Sequence, residues 1–215
     1  MLDIKIKRTF SWITSCCLVL CAIFSCSLQA SEVPTSEEAI KFVKDVVEEA
    51  MKIANDSKGR SEEFGQLFER KFEKGTAERV LGRNKKLFNK EQKSQFHESY
   101  KKLLISSFAD PERVKNFKNT TYKIDGRASL QSDGSILVKI KFFFKDKPRA
   151  EPVEIATKIV KKDGEILILD VYIEGISQLM SQIKDYDSIF RDHNKGKNDP
   201  EKFLDFLERE ANIRR

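Results

Sequence analysis

The chain has 215 residues, of which 40% are hydrophobic and 34% are charged. This length fits one compact domain, or at most two small ones, and the composition excludes a polytopic membrane protein. The 16 phenylalanines supply large side chains for a core, which argues against an intrinsically disordered chain. Because the 40 basic and 34 acidic residues are interspersed, the net charge of +6 does not predict a nucleic-acid partner.

The first thirty residues predict a cleavable signal peptide for export, followed by a single domain over 31–215. Three basic residues precede an apolar run, 12–24, whose length is typical of a signal-peptide core rather than of a membrane span. Small and polar residues follow this run, so cleavage is expected after Ala30. Removal of 1–30 takes away three basic residues and one acidic residue, which leaves 37 and 33 and a net charge of +4.

All four cysteines lie within the predicted signal peptide, so the mature chain would have neither a disulfide nor a thiolate site. A lipoprotein anchored through Cys26 is the alternative to simple cleavage. It is disfavoured because the bulky Phe24 stands where a lipoprotein signal prefers small residues.

The first part of the mature chain has a helical period. Apolar residues recur at three- and four-residue spacing over 35–54, behind a capping box formed by Thr35 and Glu38. A second helix is predicted over 61–72, and its apolar stripe is rich in phenylalanine.

Two further helices precede the sheet. A short helical piece over 76–81 is closed by Gly82, a residue type that favours the backbone conformation found just past a helix. Asn89 and Gln92 form a second capping box, which begins a long amphipathic helix over 90–108.

The hydrophobic period then changes from 3.6 to 2, which predicts four antiparallel strands joined by short turns. The predicted strands are 122–130, 136–144, 153–161 and 166–173. The last of them is apolar on both faces and is expected to be a central strand covered on both sides. A helical period returns over 176–190 and again after Pro200, so we expect an α+β fold in which helices from both ends of the chain pack on a twisted antiparallel sheet.

Few residues could carry catalysis or bind a metal. His97 and His193 have no partner at metal or base spacing, so neither a metal site nor a cofactor is predicted. Asp170 interrupts an apolar strand, and a structural carboxylate tied to a helix end is favoured over a general base. Ser177 is expected to cap the following helix rather than to act as a nucleophile.

The phenylalanine-rich helices and strands offer more apolar surface than a thin α+β fold needs. Phe142, Phe143 and Phe144 place aromatic rings on both faces of one strand. A solid phenylalanine-rich core explains this pattern, and so does an apolar cavity for a hydrophobic ligand.

Two segments resemble a known family. In 72–108 an aromatic residue is followed by Leu81-Gly82, by Gln92-Lys93 and by an aromatic-rich helix, and 170–190 begins with Asp-Val and continues through Glu-Gly-Ile-Ser into an amphipathic helix. Both are similar to the MlaC-type phospholipid-binding proteins, also called the toluene-tolerance auxiliary component of the Mla lipid-asymmetry transport system. The chain departs from that family at Ile166, where a Trp is frequent, and at Ile183, where an Arg is frequent.

The resemblance implies a monomeric periplasmic carrier, not an enzyme, that holds the acyl chains of a phospholipid between sheet and helices. The phospholipid would be cargo rather than a cofactor. The implied partners are an outer-membrane lipoprotein complex and the MCE-domain subunit of an inner-membrane ABC transporter. Together they would maintain the lipid asymmetry of the outer membrane.

The expected lipid-binding residues come from the sheet and from the helices. They are Phe68, Leu81, Phe96, Tyr100, Leu104, Val138, Ile140, Phe142, Phe144, Ile155, Ile168, Tyr172 and Leu179. Which strand face points inward stays open, because a one-residue shift would bring Phe143 inward instead of its two neighbours.

Two other functions stay open at this point. The first is a cone-shaped, isomerase-like enzyme that acts on a small molecule with Asp170 as its base. The second is an exported adaptor with a solid core and no ligand. The presence or absence of a cavity distinguishes the adaptor from the carrier.

Overall fold

The computed structural model describes residues 33–55, 60–109, 114, 119–194 and 199–213. The predicted signal peptide with its cysteines and cleavage site lies outside these residues, so it stays a prediction. Residues Val33–Arg215 group as one unit. No helix within the described ranges combines the length and the apolar character that a membrane crossing requires.

The described elements run in the order helices, sheet, helices, as predicted for an α+β fold. The helices are α1 (Ser36–Asn55), α2 (Arg60–Lys71), α3 (Thr76–Val80), α4 (Lys90–Ala109), α5 (Gln178–Asn194) and α6 (Pro200–Ile213), with a 3-10 helix (Gly82–Leu87) between α3 and α4. The strands are β1 (Thr120–Leu130), β2 (Ile136–Phe144), β3 (Val153–Lys162), β4 (Glu165–Ile173) and β5 (Ile176–Ser177).

The five strands form one antiparallel sheet in the order β1-β2-β3-β4-β5. The predicted antiparallel α+β fold is confirmed, with one short strand more than the sequence predicted. The predicted strand 166–173 corresponds to β4, an inner strand that pairs with β3 on one side and with the short β5 on the other. One expectation was wrong in detail: Ile176 belongs to β5, where it pairs with Ile173, instead of to the helix that follows.

A β-bulge in β4 changes which residues face the helices. Ile168 pairs with Ile159 and Asp170 pairs with Lys158, so Leu169 is an extra residue on β4. Because side chains alternate along a strand, one extra residue moves the following side chains to the opposite faces. The bulge therefore explains part of the apolar character of both faces of this strand.

The helix ends follow local rules that the sequence makes visible. The backbone N–H of Thr35 donates to Glu38 Oε2 (2.7 Å) and that of Glu38 donates to Thr35 Oγ1 (3.2 Å), so the first capping box is confirmed. The reciprocal bonds between Asn89 and Gln92, 3.0 and 2.9 Å long, confirm the second. Gly82 follows α3 by two residues with a φ of +54°, a backbone conformation that glycine adopts without strain.

The apolar interior has two parts. The helical core is an aromatic cluster of α4, α5, α6 and the segment before α4, and its buried members include Phe88, Phe96, Phe190 and Phe203. The sheet core packs α1 on one face of β1 to β4, with Val43 against Val138, Ile159 and their neighbours. Open apolar space lies between these two parts.

Candidate functional site

An apolar cavity of about 500 Å³ lies between the sheet and helices α4 and α5. The phenylalanines at the end of α2 form one wall, and the strand ends and the first turn of α5 form the others. Its lining includes predicted residues from both sides, namely Phe68, Tyr100, Leu104, Phe142, Phe144, Ile155 and Leu179.

A second apolar cavity of about 180 Å³ lies beneath α1 and α2. It contains two more of the predicted residues, Ile140 and Ile168. The two cavities adjoin, because Phe68, Phe72 and Leu104 line both of them. The helices and the sheet therefore enclose more empty apolar space than the larger cavity alone.

Four predicted residues line neither cavity, which corrects the expected site. Leu81 and Phe96 are buried in the helical core, where helices cover both residues. Val138 is fully buried beneath α1 in the sheet core. Tyr172 pairs with Ala156, and the bulge in β4 places it on the face away from the cavity, while Val171 lines the cavity instead.

The orientation of β2 is settled by burial. Phe142 is buried and Phe144 is half-buried, and both line the larger cavity, whereas the side chain of Phe143 between them is 40% exposed. The inward face therefore carries Phe142 and Phe144.

Several lining residues were not predicted. Val153 continues the inward alternation of β3 and could have been included from the period alone. Val171 and Ile173 line the cavity only because of the bulge, which the sequence does not signal. Gln182 and Thr76 are polar residues in an apolar wall, and a prediction that is based on hydrophobic patterning does not include such residues.

The larger cavity reaches the protein surface beside the turn between β4 and β5. Ile173 lines the cavity and is also 39% exposed. Ile176 and Met180, which follow this turn, are exposed apolar side chains as well. An elongated apolar ligand could therefore leave one end near solvent here.

Asp170 holds the start of α5 beside the cavity. Its Oδ1 accepts hydrogen bonds from the backbone N–H groups of Val171 (2.8 Å) and Leu179 (3.0 Å), and its Oδ2 accepts one from Ser177 Oγ (2.5 Å). Ser177 Oγ in turn accepts the N–H of Met180 (2.9 Å), so Ser177 caps the helix as predicted. These contacts support the structural role of Asp170, since both carboxylate oxygens satisfy donors at the start of α5.

A hydrogen bond between two uncharged side chains lies in the cavity wall. Tyr100 OH donates to Gln182 Oε1 at 2.5 Å. Burial raises the pKa of Tyr100 well above its ordinary value, so the phenol stays protonated and acts as a donor at neutral pH. Asp170 is the one charged residue among the described residues that line this cavity.

No metal centre is visible in the described part of the chain, where no group of three or more potential ligands comes together. The side chain of His193 lies outside the description. The chemistry of the site is that of an apolar container with a few hydrogen-bonding groups in its wall.

The profile of one protein family, described as MlaC protein, matches residues 37–208. Among solved structures, the chain is similar to the phospholipid-binding protein from Ralstonia solanacearum, which was solved in complex with a phospholipid. The two chains share 20% identity over 82% of this chain and 98% of that one, with a TM-score of 0.64, so they have the same fold. Among curated proteins, none matches this chain.

Proposed function

The chain belongs to the MlaC family, and on that premise we propose that it is a periplasmic phospholipid carrier. It would shuttle lipid between an outer-membrane complex and an inner-membrane ABC transporter, and so help to maintain outer-membrane lipid asymmetry. The single observation that supports this proposal best is the apolar cavity of about 500 Å³ between sheet and helices.

The physical need for such a cavity follows from the cost of moving lipid through water. Exposing roughly 30 methylene groups of two acyl chains costs on the order of 25 kcal/mol, at about 0.8 kcal/mol for each group. A carrier removes this cost by keeping the chains dry. Because the chains are also dry in a bilayer, the carrier needs no reaction of its own, and the partners decide the direction of transfer.

The size of the cavity agrees with this cargo. A methylene group is about as large as a water molecule, whose share of liquid volume is about 30 Å³, so about 500 Å³ holds on the order of 15 such groups. That number corresponds to one acyl chain. The adjoining smaller cavity offers space for a second acyl chain, and the opening beside Ile173 lets the headgroup lie near solvent.

The two other functions are less well supported. An adaptor with a solid core would not need a cavity of this size, because protein interiors are normally close-packed. For an isomerase-like enzyme, Asp170 would have to act as a base. The carboxylate accepts hydrogen bonds from Val171 in β4 and from Ser177 and Leu179 at the start of α5, which favours a structural role instead.

The proposal is tested by native mass spectrometry of the mature chain purified from a Gram-negative periplasm without detergent, followed by extraction and identification of bound lipid. We expect a diacyl phospholipid at close to one molecule per chain. A protein that arrives empty and takes up no lipid from vesicles would contradict the proposal.

A matched pair of variants tests whether the cavity holds the lipid. Leu104 lines both cavities, so Leu104→Trp should fill space and lower the lipid-bound fraction several-fold while the protein stays folded. Leu130 is 66% exposed at the end of β1 and lines neither cavity, so Leu130→Trp adds the same volume without this effect. Equal lipid loading of the two variants would contradict binding in the cavity.

A further inference from the structure

The side chain of Gln182 brings an amide group into the apolar cavity wall. Gln182 is half-buried and lines the larger cavity from α5. Its Oε1 accepts a hydrogen bond from the hydroxyl of Tyr100, which lines the same cavity. Its amide nitrogen, Nε2, has no hydrogen-bond partner among the residues that the structure describes. One end of the amide is therefore bonded within the protein, and the other end is not.

The amide nitrogen of Gln182 is open to a ligand. In the described chain, the hydroxyl of Thr76 is the one side-chain polar atom that is both buried and without a partner. The unpaired Nε2 of Gln182 is therefore not buried, and it keeps surface that another molecule can contact. Because Oε1 of the same amide is bonded to another residue of the cavity wall, this surface lies at the cavity.

The hydroxyl of Tyr100 determines which end of the amide stays free. Burial raises the pKa of Tyr100 well above its ordinary value, so the phenol keeps its proton and needs an acceptor. Oε1 of Gln182 is that acceptor. If the amide were turned round, the phenol proton would lose the acceptor that it has in the described chain. The N–H groups of Gln182 are thus the ones left for a ligand.

The position of Gln182 along α5 fits the middle of a phospholipid. Ile176 and Met180 are exposed at the opening of the cavity, and Gln178, the first residue of α5, donates from its Nε2 to the carbonyl of Ile176. Gln182 lies one helical turn beyond Gln178, or about 6 Å further along the helix axis. A headgroup at the opening would therefore place the glycerol esters, which join it to the acyl chains, near Gln182.

The charge of the cavity wall indicates which acceptor fits. Asp170 is the one charged residue among the described residues that line the cavity, and it is acidic. A phosphate inside the cavity would meet this like charge without a cation to offset it. A neutral acceptor next to an acyl chain suits the position better. In a glycerophospholipid, that acceptor is the carbonyl oxygen of an acyl ester.

We propose that the amide nitrogen of Gln182 donates a hydrogen bond to an ester carbonyl oxygen of the bound glycerophospholipid. This inference rests on the proposed function, because it assumes that the cargo is a lipid with ester-linked chains. It assigns to the carrier a polar contact that distinguishes ester-linked chains from ether-linked chains, which lack the carbonyl.

The experiment offers two probe lipids to the lipid-free wild type and to Gln182→Met. The probes are diacyl phosphatidylglycerol and its dialkyl ether analogue with chains of the same length, each presented in vesicles. The wild type should bind the ester lipid about three- to tenfold more tightly than the ether lipid. Gln182→Met should lose most of this preference, because methionine is also unbranched but donates no hydrogen bond.

The matched control is Tyr100→Phe, which removes the same hydrogen bond within the protein but leaves the amide of Gln182 in place. This variant should keep most of the preference for the ester lipid. Both variants should lower the melting temperature of the lipid-free protein to a similar extent, since each loses that one bond. A much larger loss in Gln182→Met would mean that the amide nitrogen serves the protein itself, and would overturn the inference.

The outcomes separate this inference from the proposed function. If the wild type binds neither probe, both fail. If the wild type binds both lipids without a preference, or if Gln182→Met keeps the same ratio of affinities, the carrier function stands and the ester contact is wrong. The contact is also wrong if Gln182→Met loses affinity equally for both lipids. A loss of preference in Tyr100→Phe as large as in Gln182→Met would assign the effect to the bond between the two side chains, and would overturn the inference as well.

Discussion

The helical core and the cavity region are built from the same kinds of apolar side chain, but only one of them is filled. In the helical core, Phe203 packs against Phe190, Phe88 and Phe96 with ring centroids 5.3–6.2 Å apart. Beside it, Phe68 and Phe72 stack on each other at 4.6 Å, yet both border the cavity of about 500 Å³. Protein interiors are normally close-packed, so open apolar space of this size next to a well-packed cluster indicates a function.

Helix α5 passes through both regions and shows where they meet. Its first turns, with Leu179 and Gln182, line the cavity, while Tyr186 and Phe190 pack in or against the helical core. We infer that the helical core supplies the stability that the cavity region lacks. The following predictions test that division, from the largest expected effect to the smallest.

Truncating one phenylalanine in each region should have unequal effects. Phe96 is fully buried, so Phe96→Ala should lower the free energy of unfolding by about 3–5 kcal/mol. Phe68 has empty space on its cavity side and makes fewer contacts there, so Phe68→Ala should cost roughly 1–3 kcal/mol. Urea unfolding of the lipid-free proteins measures both. Equal losses would show that the two regions contribute alike to stability.

Asp170 should matter for stability because it holds the start of α5. Asp170→Ala leaves the N–H of Leu179 and the hydroxyl of Ser177 without their acceptor, and should lower the free energy of unfolding by about 1–3 kcal/mol. Asp170→Asn keeps one carbonyl oxygen as an acceptor and should lose less. Unfolding curves and lipid loading should be measured for both variants. A variant of unchanged stability that loses catalytic turnover of a small molecule would instead favour the enzymatic alternative.

The pH dependence of stability should report the contact between the 3-10 helix and α5. Arg83 donates to Asp187 from Nε (3.0 Å) and Nη2 (2.7 Å), and these bonds lower the pKa of Asp187 below its ordinary value. The folded protein thus holds this proton less tightly than the unfolded chain. The stabilisation is complete above roughly pH 3.9, the pKa of an unfolded Asp, and is lost as the pH falls through the lower folded value.

The size of this effect should be small because Arg83 is 69% exposed in its side chain and solvent screens the pair. Asp187→Asn should lower the free energy of unfolding by less than about 1 kcal/mol at neutral pH, and the difference from the wild type should shrink below roughly pH 4. Asp185→Asn, at an exposed position of the same helix, is the matched control. A difference that grows towards acidic pH would have the wrong sign for this contact.

The smallest effect is expected on the outer face of β2. Phe143 is 40% exposed and lines neither cavity, so Phe143→Ser should change the free energy of unfolding by no more than about 0.5 kcal/mol and leave lipid loading unchanged. Phe142→Ser, one residue away on the inner face, should reduce both. Similar results for the two variants would contradict the orientation of the strand.

Local features were predictable because the interactions that produce them lie within a few residues. The capping boxes at Thr35 and Asn89 formed as the sequence indicates, and Gly82 follows α3 in the expected conformation. The strand alternation also put Phe142 and Phe144 on one face of β2, but the inward direction of that face was left open and was decided by burial in the structure. These predictions needed only the helical and strand periods and the chemistry of helix ends.

The site was predictable only in part because its membership depends on distant contacts. Nothing in the local pattern indicates the bulge at Leu169, which removed Tyr172 from the cavity wall and brought Val171 into it. Phe96 and Tyr100 lie one helical turn apart and pack together, but only Tyr100 reaches the cavity. Which part of an apolar stripe meets another element is decided by the packing of whole helices.

The sequence by itself determined the type, order and approximate ends of the helices and strands, because these follow from periodicity and capping over short distances. The family resemblance, carried by 72–108 and 170–190, was also readable there and is confirmed. Only the tertiary structure decided that the apolar surfaces of helices and sheet do not close on each other. A cavity is a property of the space between elements, and that space is set by residues far apart in the chain.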